Sequence, residues 1–203
     1  RPPTSSVNST PLAGLVPRFS TPADTATRSC FSNVVRASDG IFLEEAKKVA
    51  RDFPGIQCDD ANVDAICMWL LKNPFAYDVL VAPNLYGDII SDLCAQMVGG
   101  LGFGCSGNIG EKLAVFEPTH GSAPKYAGQY KVNPIATILA AKMMLDWLGE
   151  KDKAARLELA VGEVIKDGRV RTYDMGGKNS TLEMGKAIAA AVGETKPVGA
   201  GRR

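Results

Sequence analysis

The sequence is poor in the features that would mark a partner or a chemistry from composition alone. Its 23 Lys plus Arg are offset by 22 Asp plus Glu, a net charge of +1, so no excess of one sign argues for nucleic acid or an anionic membrane surface. No apolar run approaches the roughly 20 residues that span a bilayer. The 21 glycines are clustered rather than periodic, which excludes a collagenous chain. Five cysteines (Cys30, Cys58, Cys67, Cys94 and Cys105) and one histidine form neither a CxxC nor a Cys/His ligand spacing, which argues against structural zinc. Dispersed thiols in odd number fit a reduced intracellular chain. What remains is a globular composition, 45% hydrophobic and 22% charged over 203 residues, enough for a real core in one domain or two small ones.

The order of residues divides the chain. Residues 1–30 hold several prolines, many Ser and Thr and one acid, Asp24, with no hydrophobic periodicity, and read as a disordered segment or linker. Their Arg/Ser-rich, acid-poor character also resembles an organelle transit peptide, but the linker reading is preferred, so a cytoplasmic location is expected with a mitochondrial one as the alternative. From Asp39 the pattern becomes regular. Helical spacing predicts helices over 41–51, 64–72, 89–98, 134–149, 153–166 and 182–191. Short strands are predicted at 56–60, 77–82 and 113–117. Strands alternating with helices argue an α/β fold.

Asp88 and Asp92 stand four apart at the start of the third predicted helix, which puts both carboxylates on one helix face. Adjacent anions are costly without a cation between them, and paired Asp oxygens suit Mg²⁺ or Mn²⁺ with positions left for substrate. An isolated DxxxD more often faces water and stabilises the positive helix N-terminus. Asp64 opens another helix, where it either joins them or serves as a cap. The only histidine, His120, lies in the Gly- and Pro-punctuated run Glu117-Pro118-Thr119-His120-Gly121-Ser122-Ala123-Pro124-Lys125-Tyr126-Ala127-Gly128. Small residues there let backbone amides approach a ligand, and Lys125 can meet a phosphate, although a lone loop histidine is more often part of a surface turn. Gly99 to Gly104 follows a helix rather than a strand, so a Rossmann fingerprint is not supported.

The runs Asn84-Leu85-Tyr86-Gly87-Asp88-Ile89-Ile90-Ser91-Asp92, Val98-Gly99-Gly100-Leu101-Gly102 and His120 to Gly128 together resemble the isocitrate and isopropylmalate dehydrogenases, metal-dependent β-decarboxylating enzymes. The resemblance covers Ser32 to Val192 and implies the C-terminal part of a three-layer α/β fold. It assigns residues 31–105 mostly to a small dimerisation domain, 106–192 to the large cofactor-binding domain, and 193–203 to a tail. It implies oxidation of a 2-hydroxy acid by NAD or NADP with loss of CO₂, isocitrate being preferred to 3-isopropylmalate. By the same resemblance Asp88 and Asp92 are metal ligands for Mg²⁺ or Mn²⁺, and Asp64 supplies a third from the partner of a homodimer or from an intact homologue. His120, Gly121, Ser122, Ala123 and Asn133 hold the adenosine end of the cofactor, with Glu117 near its ribose. Lys125, Tyr126 and Tyr173 match the NADP branch, whereas Asp174-Met175-Gly176-Gly177-Lys178 matches the other, with glycine at 177 in place of an arginine that Lys178 would have to replace.

The departures are as specific as the match. The family's first half, with its substrate-binding serine and arginines and its tyrosine acid, has no counterpart here. Its His-Lys-x-Asn segment aligns with Cys30-Phe31-Ser32-Asn33, so Phe31 stands where the lysine base belongs and no catalytic residue is intact. The expectation is a truncated or frameshifted, catalytically impaired form. The alternative of another class is a noncatalytic regulatory or binding subunit.

Overall fold

A computed structural model describes residues 28–33 and 36–194, with side chains from Asp39 onward. The chain divides into two compact units between Met97 and Val98. Of the segment expected to be disordered, residues 1–27 lie outside the described residues. Residues 28–30 correct that expectation, because they begin strand β1, Arg28–Asn33. Residues 195–203 also lie outside the described residues.

The first unit is a parallel α/β layer. After β1 come α1 (Arg36–Ala50), β2 (Gln57–Asn62), α2 (Val63–Lys72), β3 (Val79–Val81) and α3 (Asn84–Met97). The strand order is β2-β1-β3, with β1 parallel to both neighbours. Parallel neighbours require crossover connections, and α1 and α2 supply them. Phe31 lies on the central strand, in register with Asp60 on β2 and Val81 on β3. Ile66 and Leu70 of α2 and Ile90, Cys94 and Ala95 of α3 are buried. Asp39, only 8% exposed, accepts a 2.9 Å hydrogen bond from the Tyr86 hydroxyl, which ties α1 to α3.

The second unit opens with a turn in which Gly99 and Gly100 have φ of 117° and 105°, a region that disfavours side chains. An antiparallel pair follows, β4 (Cys105–Ile109) and β5 (Ala114–Pro118). Three helices complete it: α4 (Ile135–Trp147), α5 (Lys151–Asp167) and α6 (Thr181–Glu194). Ile135, Val161, Val164, Met184 and Ile188 form their shared core, and each such side chain contributes about 1.5–3 kcal/mol on burial. Between α4 and α5, half-buried Lys142 bridges Asp146 at 2.9 Å and Glu158 at 3.0 Å.

The α/β class and six of the expected helices are present, with shifted starts. Helix α1 begins five residues before the expected Ile41, and α3 five before Ile89. Strand β4 had no expectation against it. Cys58, Cys67, Cys94 and Cys105 are free thiols, as expected of a reduced chain, and burial pushes Cys105 up to about 11. Among the described residues no helix is long and apolar enough to cross a membrane.

The start of α6 is a capping box. The Ser180 hydroxyl accepts the Glu183 N–H at 3.3 Å, and the Glu183 carboxylate accepts the Ser180 N–H at 2.7 Å. Ser180→Ala should lower stability by about 1 kcal/mol in denaturant unfolding. These bonds, the Ser180 backbone N–H foremost, hold the Glu183 carboxyl below the usual glutamate range. A depressed folded pKa means that the cap contributes in full at neutral pH and is lost as pH falls through the glutamate range. The wild-type and Glu183→Gln unfolding curves should therefore converge in acid; parallel curves across that range would contradict the cap.

Candidate functional site

The two expected groups of site residues fall in different units. Asp64, Asp88 and Asp92 belong to the first. Asp88 and Asp92 are both exposed on α3, one turn apart along the axis, about 6 Å by helix rise. Because α3 begins at Asn84, Asp88 is its fifth residue and Asp92 its ninth, and no acid occupies the first turn. The helix-dipole effect fades beyond that turn. Stabilisation of the N-terminus is thus removed as an account of this pair. Among the described residues neither carboxylate forms an ion pair, and Ser91 donates only to the Asp88 carbonyl, at 3.0 Å. Two unpaired hard oxygen donors on one face are chemically suited to Mg²⁺ or Mn²⁺.

Asp64 is exposed in the first turn of α2, where its Oδ1 accepts the N–H of Ala65 at 2.8 Å. It is not the N-cap, a position held by Asn62. Among the described residues no three His, Cys, Asp or Glu side chains gather as a metal cluster. Within the single chain Asp88 and Asp92 share one helix, and Asp64 does not join them in a three-carboxylate cluster among the described residues.

The remaining residues lie in the second unit. Glu117, exposed on β5, accepts a 3.1 Å hydrogen bond from Asn108 on β4. His120 follows β5 directly, its Nδ1 2.8 Å from the Gly121 carbonyl oxygen. Thr119 beside it has a buried hydroxyl with no hydrogen-bond partner. Gly121, Ser122 and Ala123 are exposed, and a Cβ added at Gly121 would meet nothing within 4 Å, so a ligand has open access to this backbone. Ala123 turns the chain with φ 44° into a 3-10 turn, Pro124–Tyr126.

That turn delivers Lys125 and Tyr126 to Tyr173. The two tyrosine rings lie 5.8 Å apart, and Lys125 Nζ is 4.8 Å from the Tyr126 ring centroid. Hydrogen bonding to Lys125, and then to Tyr173, holds the Tyr126 phenol below the ordinary tyrosine range. Tyr173 is held above that range, chiefly because its phenol is hydrogen-bonded to Tyr126. The three groups supply donors and positive charge, which suit an anion.

Asn133 differs from its expected neighbours. It is 4% exposed, its Nδ2 donates to Asp174 at 3.0 Å, and its Oδ1 accepts the N–H of Ile135 at 3.0 Å at the start of α4. The other Asp174 oxygen accepts the Thr172 hydroxyl. A Cβ at Gly102 would come within 2.6 Å of Asp174, so this network requires glycine there. Its side-chain amide is thus committed to the fold. Three participants went unforeseen: Lys131, whose Nζ lies 5.1 Å from the Tyr126 centroid and 4.9 Å from that of Tyr173, and the anchors Thr172 and Asp174. Sequence distance hides them, since 42 residues separate Lys131 from Tyr173.

Comparison with known proteins identifies a family and a fold. The family model for isocitrate/isopropylmalate dehydrogenase matches residues 23–188, beginning upstream of the expected Ser32. The chain is 48% identical over 161 residues to a probable mitochondrial isocitrate dehydrogenase [NAD] subunit alpha of Caenorhabditis elegans, covering 79% of this chain and 45% of that protein. It is 50% identical to an isocitrate/homoisocitrate dehydrogenase of Thermus thermophilus, with 79% and 48% covered. Against a 3-isopropylmalate dehydrogenase of Archaeoglobus fulgidus the identity is 45%, with 78% and 48% covered. The crystal structure of isocitrate dehydrogenase from Methylococcus capsulatus superposes with a TM-score of 0.77 at 43% identity, covering 82% of this chain and 50% of that one. This chain thus spans about half the length of the relatives it matches and carries an isocitrate dehydrogenase-like fold. It belongs to the isocitrate/isopropylmalate dehydrogenase family.

Proposed function

We propose that this chain carries the metal-binding and dinucleotide-binding elements of an NAD(P)-dependent β-decarboxylating dehydrogenase acting on a 2-hydroxy acid, isocitrate before 3-isopropylmalate. The observation that carries the reading is the exposed, unpaired Asp88 and Asp92 beyond the first turn of α3 in a chain of this family. Asp88 and Asp92 would hold Mg²⁺ or Mn²⁺, which would supply Lewis acidity toward the substrate's hydroxyl and carboxylate oxygens. Asp64, which does not join the pair in a three-carboxylate cluster among the described residues, serves the metal of a partner subunit. In this reading the first unit contributes metal ligands and dimer contacts, and the second contributes the dinucleotide cradle.

Mn²⁺ should bind the wild-type chain weakly and saturably in calorimetry and raise its thermal stability. Asp88→Asn should abolish both effects. Identical titrations for wild type and variant would remove the site.

His120, the open backbone of Gly121 to Ala123, and Asn133 hold the adenosine end, with Glu117 near its ribose. Relatives named for NAD and the cluster at Tyr126 point to different cofactors. We take NADP, because Lys125 and the two phenols supply charge and donors for a 2′-phosphate that NAD lacks. Isocitrate rests on the names of two of the relatives above. Phe31 on the central strand favours a second reading, a noncatalytic subunit that binds metal and nucleotide beside an intact homologue.

A further inference from the structure

We propose that Lys131 is a specificity-determining residue of the dinucleotide site: held between Tyr126 and Tyr173, its ammonium is the second cation, beside Lys125, for a phosphate on the adenosine ribose. This rests on the NADP reading above and adds to it a residue and the device that fixes it.

The backbone around Lys131 is pinned on both sides by one residue. The Tyr130 carbonyl accepts the Thr181 N–H at 2.7 Å, and the Val132 carbonyl accepts the Thr181 hydroxyl. Thr181 is the first residue of α6 and sits inside the Ser180–Glu183 cap. Tyr130 itself has φ 49°, one of two non-glycine residues with positive φ among those described. Such residues persist where their surroundings over-determine them. Here the strain turns the chain immediately before Lys131 and aims the lysine at the ring pair.

The arrangement is poorly explained as packing. Lys131 is exposed and, among the described residues, forms no ion pair, yet its Nζ lies about equally close to both rings. Lys125 stands over Tyr126 as well, so two ammonium groups share one ring. Two cations gathered at one tyrosine pair, neither of them ion-paired to a carboxylate among the described residues, suit a bound anion. Asp174, whose oxygens accept from Thr172 and Asn133, forms no ion pair with either lysine among the described residues. Position 177, where the NADP branch carries arginine, cannot supply the charge either: a Cβ there would fall 2.1 Å from the Arg171 carbonyl oxygen.

The test is calorimetric binding of NADP and of NAD to the full 203-residue chain and three variants. Lys131→Met keeps the stem over the rings and removes the charge. It should weaken NADP about tenfold, the scale of one charge-assisted contact to phosphate, and leave NAD unchanged. Lys131→Arg should retain the preference. Lys125→Gln reports on the underlying reading and should lower the NADP:NAD ratio by itself. If Lys125→Gln lowers the ratio and Lys131→Met does not, the proposal fails while the NADP reading stands. Equal weakening of both nucleotides by Lys131→Met also overturns it, by assigning Lys131 to packing. A wild-type chain without preference, or a ratio that neither variant changes, defeats the NADP reading and the proposal with it.

Discussion

Purified by itself, this chain is expected to form no measurable NADH or NADPH from isocitrate or 3-isopropylmalate, with Mn²⁺ present and host enzymes excluded. Asp88 and Asp92 are the proposed metal pair on α3, but even with a metal held there the alcohol would still have to lose its proton and its hydride in register. By the resemblance read from the sequence, Phe31 takes the position of the family's lysine base, and a phenyl ring neither accepts nor donates a proton. Loss of a general base typically costs about 10²- to 10⁴-fold. The side chains that grip the substrate carboxylates in the family have no counterpart in these residues, and loss of positioning removes about 10⁵-fold or more of effective concentration. The two losses together consume most of a dehydrogenase's rate. Phe31→Lys should consequently leave the chain inactive by itself. Nucleotide reduction by either purified form would refute this account.

How far the sequence could be read depended on where each element draws its stability. Helices α4 and α5 bury an apolar stripe in their own unit, and their periodicity was legible to within two residues. The misplaced starts of α1 and α3 share one cause. Asp39-Gly40 and Pro83-Asn84-Leu85-Tyr86-Gly87 read locally as turns. In the fold the Tyr86–Asp39 hydrogen bond joins them across 47 residues, and Gly87 N–H closes a 2.8 Å bond to the Pro83 carbonyl. A tertiary contact overrides weak propensity there. That shift matters for function, because it moves Asp88 and Asp92 out of the first turn.

Strand β1 was missed for a related reason. Arg28-Ser29-Cys30-Phe31-Ser32-Asn33 has no alternation, and its strand character comes from ladders on both sides to β2 and β3. Strand β4 was hidden by small residues. Gly107 is needed there, since a Cβ would lie 3.1 Å from the Phe116 ring. At the proposed dinucleotide site, Lys125 and Tyr126 stand out in the sequence by their motif. Lys131 could not, because its meaning lies in Tyr173 and in the strained residue before it. The Ser180-x-x-Glu183 cap was a readable signal that the helical periodicity overshadowed.

Restoring the arginine of the NADP branch by Gly177→Arg should damage the site rather than improve it. Gly177 is glycine for a close approach: any Cβ would meet the Arg171 carbonyl oxygen at 2.1 Å and the Arg171 Cβ at 2.4 Å. Arg171 cannot retreat, because its carbonyl accepts the Asn179 N–H at 2.9 Å and its own N–H donates to the Asn179 side chain at 3.0 Å. Gly177 N–H in turn donates to the Thr172 carbonyl at 2.9 Å. These bonds close the loop that presents Tyr173. Overpacking against movable side chains costs about 1–3 kcal/mol; a pinned backbone carbonyl puts this substitution at the top of that range. The loop should open and carry Tyr173 away from Tyr126 and Lys131. Gly177→Ala, which adds only the offending Cβ, should reproduce the loss of stability and of NADP preference. A Gly177→Arg chain with unchanged thermal stability and tighter NADP binding would mean that the loop yields, and that the missing cation had been the limiting feature.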